Sequence, residues 1–475
     1  MRCLIVFFLL FLPTALRADQ PNADKPNVVI VLADDQTWND SGCYGNRDVK
    51  TPNIDQLAAA GMRFTRCFTA TAMCAPTRQQ LYTGVFPIRN GAYPNHSKVK
   101  VGTRSIVHHF RQIGYRVGLS GKKHFGPEES FPFENLTTNG DLNLPKIQEF
   151  VKRDDSQPFV LVVTSHSPHL PWSEGDTTKY DAEKLTVPSY LVDLPETREA
   201  LTNYYAEITD FDREVGGVMK AIDDNGYRDE TIFIYTSEQG AQFPHGKWTC
   251  YDNGLRTALI VRWPGHIKPG SVSSAMVQYV DILPTLLDAA GVESTTIDTG
   301  LPGAPKGGSG FDGSSFLPVL LEGNESHRDY VYGAHTTRGI IDGTWIYPIR
   351  SVRSRKFKLI WNPNHKAKFQ NVLTTTKGKS DYWTAWKKAA EEGDEHARKL
   401  VDIYESRPEY EFYDLETDPD ESHNLADNPA YSKPIQKMKA ELSTWMEQQG
   451  DEGIATEDAA KPHRTQKRPD SQNAR

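Results

Sequence analysis

The chain has 475 residues and a formal net charge of −8, with 38% hydrophobic and 24% charged residues. Such a length suggests about two to three domains and ample chain for a large buried core. The acidic balance argues against a general nucleic-acid binder, and no apolar run, the N-terminal one included, is long enough to span a bilayer.

Met1-Arg2, the apolar run 4–12 and the small residues at 15–18 read as a secretory signal peptide over 1–18, which predicts a secreted or periplasmic protein. Cys3 would leave with it, so Cys43, Cys67, Cys74 and Cys250 remain, at spacings that match neither a disulfide framework nor a zinc site. If Cys74 is reserved for chemistry, three are left and at most one bridge can form.

Asn27–Ala33 is a continuous β-branched run, the pattern of a strand buried on both faces of a mostly parallel sheet. It ends in Asp34-Asp35. Ligands collect at the carboxyl ends of strands in open α/β sheets, and adjacent carboxylates there repel unless a cation lies between them. Hard divalent cations select such oxygens; the alternative is a turn with a helix cap. A helix is expected from Thr51-Pro52 to Gly61 and a strand over Met62–Phe68. Cys74-Ala75-Pro76-Thr77-Arg78 then opens a second helix. Free N–H groups and the dipole at its N-terminus favour negative charge, and Arg78 lies on the same face, one turn on from Cys74.

An amphipathic helix is expected over Thr103–Gly114 and a strand over Arg116–Ser120. The loop Gly121-Lys122-Lys123-His124 follows, able to bind an anion and move a proton. Pro158–Thr164 is a further buried strand, ending in Ser165-His166-Ser167-Pro168-His169, whose histidines suit ligation, acid catalysis or plain loop packing. Residues 171–195 read as a polar surface insertion. Arg198–Asn225 is a long amphipathic helix whose Asp210 and Asp212 read as solvated. Thr231–Ser237 repeats the buried-strand pattern and ends in Glu238-Gln239-Gly240. Pro348–Trp361 alternates basic and apolar residues, the period of a half-exposed antiparallel strand. A helix is expected over Ser432–Gln449, and the polar stretch 450–475 reads as disordered.

Cys74-x-Pro-x-Arg followed by Leu81-x-Thr83-Gly84 resembles the sulfatase signature, in which the cysteine is oxidised to formylglycine. Thr51–Gly61, Gly254–Gly265, Gln278–Ala290 and Tyr410–Ala426 are similar to sulfatase segments in family order. The Gly121–Phe133 stretch is most similar to the sulfamidase, or heparan N-sulfatase, branch. The resemblance implies an α/β fold of the alkaline-phosphatase type, a large, mostly parallel mixed sheet flanked by helices, with a smaller C-terminal antiparallel-sheet subdomain. It places a catalytic domain at 19–345 and the subdomain at 346–449.

It also implies a site. Formylglycine at position 74, hydrated to a gem-diol, would be held by Arg78 and by one calcium ion on Asp34, Asp35, Glu238, Gln239 and residue 74 itself. Lys122 and Lys247 would neutralise the sulfuryl oxygens, His169 would protonate the leaving group, and His124 would help expel sulfate. Glu238-Gln239 departs from the usual Asp followed by Asn or His; ligand chemistry is kept, each side chain gains a methylene, and calcium tolerates this better than magnesium. The implied partners are a sulfated carbohydrate, with N-sulfoglucosamine first, and a formylglycine-generating maturation enzyme. An O-sulfatase on another polysaccharide, a phosphodiesterase or phosphonate hydrolase of the same superfamily, and an inactive sulfated-glycan binder are the competing readings.

Overall fold

The computed structural model describes residues 25–302, 310–375 and 381–460. The expected signal peptide and residues 461–475 of the expected disordered tail lie outside these. The main sheet contains β1 (Asn27–Ala33), β2 (Met62–Phe68), β3 (Arg116–Gly121), β4 (Glu134–Asn135), β5 (Phe159–Thr164), β6 (Thr231–Ser237), β7 (Arg256–Arg262), β8 (Ser271–Ser273) and β9 (Val277–Gln278). Its order is β4-β3-β5-β1-β6-β7-β2-β8, with β9 also on β2. Every pairing is parallel except those of β7, which runs against β6 and β2.

Burial on both faces explains the unbroken apolar runs. Val28, Ile30 and Leu32 of β1 enter one core while Val29 and Val31 enter the other. Register then fixes the edge that matters: Leu32 lies opposite both Thr164 and Thr236, and Gly121 opposite Thr164. Residues 34–35, 122–124, 165–169 and 238–239 therefore leave the sheet side by side.

Helices α1 (Pro52–Ala60), α2 (Cys74–Thr83), α3 (Pro195–Asp223) and α4 (Ile282–Ala289) flank it. Asp212 on α3 is buried rather than solvated: its carboxylate accepts from the Asn53 and Ile54 backbone N–H groups at the start of α1. The 171–195 stretch is less superficial than its composition suggests, since Leu185, Leu191 and Val192 enter a core cluster with Trp383 and Trp386. Cys43, Cys67, Cys74 and Cys250 are all free thiols.

The second sheet is antiparallel, in the order β10 (Val331–His335), β11 (Ile349–Arg353), β12 (Phe357–Trp361), β13 (Tyr410–Asp414), so its first strand precedes the boundary expected at 346. Helix α5 (Ser432–Gln449) packs Met438, Leu442 and Trp445 against it. The segment read as one half-exposed strand is a hairpin, with Arg355 and Lys356 exposed at its turn but Arg350, Arg353 and Lys358 buried in its strands. Arg350 pairs with Asp451, Arg353 with Asp252, and Lys358 with Asp252 and Glu421. Their partners lie far away in sequence, which alternation alone cannot register. The tail expected to be disordered is ordered to residue 460: α6 (Ile454–Asp458) carries the fully buried Glu457, whose Oε1 accepts from Thr337 and Tyr347 N–H groups.

Candidate active site

The strand ends converge on Cys74 at the first position of α2. Its Sγ lies 3.6 Å from Asp34 Oδ1 and 3.9 Å from Asp35 Oδ1, and Gln239 Nε2 donates to it at 3.5 Å. Asp34, Asp35 and Glu238 are 0% exposed, and Lys247 is 2% exposed. Asp35 adopts a left-handed φ of 67°, a conformation that costs a non-glycine residue about 1–3 kcal/mol and persists only when its surroundings enforce it. Gly121 is needed at the entrance of the basic loop: its φ is +105°, and a Cβ there would lie 1.8 Å from the Thr164 carbonyl oxygen.

Three cations face three carboxylates. Lys122 Nζ donates to Asp34, Lys247 Nζ to Asp35, and Arg78 Nε pairs with Glu238. Arg78 Nη1 also donates to the Lys122 carbonyl at 2.9 Å, which ties the α2 helix to the basic loop. Burial disfavours ionised Asp34, but Lys122, His169 and Arg78 outweigh it and hold the carboxyl well below its usual range. Burial pushes Asp35 up against the pull of Lys247. At Cys74, burial is outweighed by Lys122 and Lys247, so the thiol sits well below its ordinary value. Position 74 is therefore a place where negative charge is favoured. At His169, Lys247 and burial favour the neutral ring, yet Asp35 and Asp34 outweigh both and raise its pKa.

All the residues expected from sequence meet here, with some changes of company. Donor atoms of Asp34, Asp35, Cys74 and His169 lie within 4.8 Å of one another; His169, expected at the leaving group, is 3.6 Å from Asp35 through Nε2. Glu238, expected beside the cation, is held by Arg78, and Gln239 donates Nε2 to Asp35. The Gln239 amide oxygen is buried without a hydrogen-bond partner. That orphaned oxygen and the two aspartate carboxylates are hard oxygen donors, the chemistry that suits calcium.

Two site residues escaped the sequence reading. His96 Nδ1 lies 2.7 Å from His124 Nε2, although its stretch Asn95-His96-Ser97 has only the pattern of a glycosylation acceptor, and Asn95 is buried. Gln79, fully buried on α2, donates to the Ser97 carbonyl and accepts from the Val99 and Gly126 N–H groups. It fastens the His96 and His124 loops to the helix of Cys74. No sequence pattern marks a lone glutamine for that task.

This geometry coincides with the family evidence: the Sulfatase family model matches residues 26–292, so the chain belongs to the sulfatase family. A second model, N-sulphoglucosamine sulphohydrolase, C-terminal, matches residues 243–372. The protein is thus a hydrolase of the class that cleaves sulfate esters and sulfamates. It is 33% identical over 445 residues to an ulvan-active sulfatase of Formosa agariphila, covering 90% of this chain and 81% of that one. Human N-sulphoglucosamine sulphohydrolase is 30% identical over 501 residues, with 91% of this chain and 92% of the relative covered. A solved structure of a protein in complex with its substrate D-glucosamine-2-N,6-O-disulfate superposes with a TM-score of 0.65 at 22% identity, covering 90% of this chain and 99% of that one; the likeness is one of fold.

Proposed function

We propose that the chain removes sulfate from a sulfated sugar, with N-sulfoglucosamine as the substrate, using formylglycine made from Cys74 by a maturation enzyme and one bound calcium ion. The observation that carries this reading is the burial of Cys74 at a helix N-terminus among three cations and the Asp34-Asp35 pair. The human relative and the C-terminal family match support the N-sulfated substrate.

Bound formylglycine and calcium would supply an oxygen nucleophile of lowered pKa and a Lewis acid for the sulfuryl group. Asp34, Asp35 and the Gln239 amide oxygen would hold the cation, with Glu238 fixing Arg78 beside them. Lys122 and Lys247 neutralise charge on the sulfuryl oxygens, an effect worth most in a buried site. Arg78 orients residue 74. His169 delivers a proton to the leaving nitrogen or oxygen, and His124 hydrogen-bonds the group at position 74 and so helps to expel sulfate. Residues 1–18 direct export, where sulfated polysaccharides are met.

The ulvan-active relative favours a second reading, an O-sulfatase on another polysaccharide. Incubation with N-sulfoglucosamine and with O-sulfated oligosaccharides decides between them: sulfate and free amine released together from the first support the proposal. Release from O-sulfated chains alone overturns it in favour of the second. The mass of the tryptic peptide bearing residue 74 must show an aldehyde in place of the thiol. Chelation with EGTA is expected to abolish turnover, and calcium to restore it better than magnesium.

A further inference from the structure

Outside the ring of residues around Cys74 stands a second, directed row of hydrogen bonds. The Asn95 side-chain oxygen accepts from the His96 backbone N–H at 3.1 Å. Its orientation is thereby set, and Nδ2, which can only donate, faces His96 Nε2 at 3.4 Å. A histidine that accepts at Nε2 carries its proton at Nδ1. His96 Nδ1 lies 2.7 Å from His124 Nε2, so His124 accepts there and carries its own proton at Nδ1. That nitrogen is buried and has no hydrogen-bond partner of its own. It is also the ring atom left free for position 74, with which His124 interacts.

The backbone is built to hold this row. His96 and His124 have left-handed φ values of 61° and 47°, a conformation uncommon for residues other than glycine. Asn95 is clamped from the loop that follows β10: its N–H donates to the Arg338 carbonyl at 3.2 Å. A Cβ on Gly339 (φ +83°) would come within 2.3 Å of the Asn95 carbonyl oxygen. Gln79 binds both loops to α2. The imidazoles sit 4.7 Å apart between centroids, with planes inclined by 40°.

We propose that His96 is a positioning residue: with Asn95 it fixes His124 in the Nδ1–H tautomer, so that a hydrogen-bond donor is presented to the oxygen carried at position 74. The inference rests on the reading that His124 works on that group. Without His96 the ring of His124 is free to take the other tautomer and to turn away. Sulfate binding by Lys122 and Lys247 is untouched, so the loss falls on kcat and not on KM.

The test uses the matured full-length enzyme with N-sulfoglucosamine. His96→Leu should lower kcat by about 10–100-fold, the usual range for groups that orient a working ligand, with KM within about twofold of wild type. His96→Asn, which restores a donor at the position of Nδ1, should recover most of the loss. Side-chain 15N spectra of the wild type should show His124 protonated at Nδ1. A His124 protonated at Nε2 overturns the proposal, as does an Asn variant no better than the Leu one, or a Leu variant with unchanged kcat. His124→Ala separates the two layers. If it keeps full activity, the role of His124 itself falls and the proposal with it; if it is inactive while His96→Leu is normal, only the role of His96 falls.

Discussion

The contact between Arg350 and Asp451 provides a quantitative test of the order seen beyond residue 450. Arg350 is 1% exposed and Asp451 7% exposed. The carboxylate takes Nε and Nη2 of the guanidinium, the second at 3.0 Å, while Nη1 donates to the His335 and Ile349 carbonyls. Asp451→Ala leaves that cation buried with two of its donor groups unanswered. Removing one partner of a buried pair typically destabilises by about 3–5 kcal/mol, against about 0–1 kcal/mol for an exposed pair. The carboxyl is disfavoured by burial, but Arg350 outweighs this and keeps its pKa below the ordinary value. Its contribution is therefore fully present above the unfolded pKa of about 3.9 and is lost as pH falls through the lower, folded value. Urea unfolding followed by tryptophan fluorescence, at neutral pH and at successively lower pH, reads both effects. The wild type should lose its advantage over Asp451→Ala in acid. A difference below about 1 kcal/mol at neutral pH would refute a buried, ordered latch.

Lys247→Ala should lower kcat by about 100–1,000-fold, the usual consequence of losing one preorganised charge-stabilising donor, with the remaining sulfate release measured directly. Gln79→Leu leaves the Ser97 carbonyl and the Gly126 N–H without their partner, while the Val99 N–H keeps the Gly126 carbonyl. Each such group costs about 1–3 kcal/mol when buried and unsatisfied, so a clear fall in midpoint denaturant concentration is expected along with reduced kcat. Gly121→Ala should be destabilising whatever its surroundings, because a side chain at φ +105° meets the Thr164 carbonyl; thermal unfolding checks it.

Much of the site could be read from the chain because its parts follow unbroken apolar runs. A strand buried on both faces must be apolar throughout, and the polar residues that end it stand out: Asp34-Asp35 after β1, Lys122-Lys123-His124 after β3, His166 and His169 after β5, Glu238-Gln239 after β6. Their meeting follows from parallel pairing in register. The Pro-containing turn with Cys74 and Arg78 is likewise local, a matter of neighbours on one helix face.

What only the folded chain decided concerns groups whose partners are distant. Asp212 reads as one more charged residue on an amphipathic helix, and is instead the acceptor for the start of α1. Arg350, Arg353 and Lys358 read as the polar face of a half-exposed strand until Asp451, Asp252 and Glu421 arrive from elsewhere. The same holds for His96 and Gln79, whose work depends on which loops approach them. Local sequence fixes the period of burial and the chemistry at each strand end. The pairing of a buried charge or a ring nitrogen is a property of separation in space, and residues 100 or more positions apart in the chain, such as Arg350 and Asp451, leave no periodic trace of it.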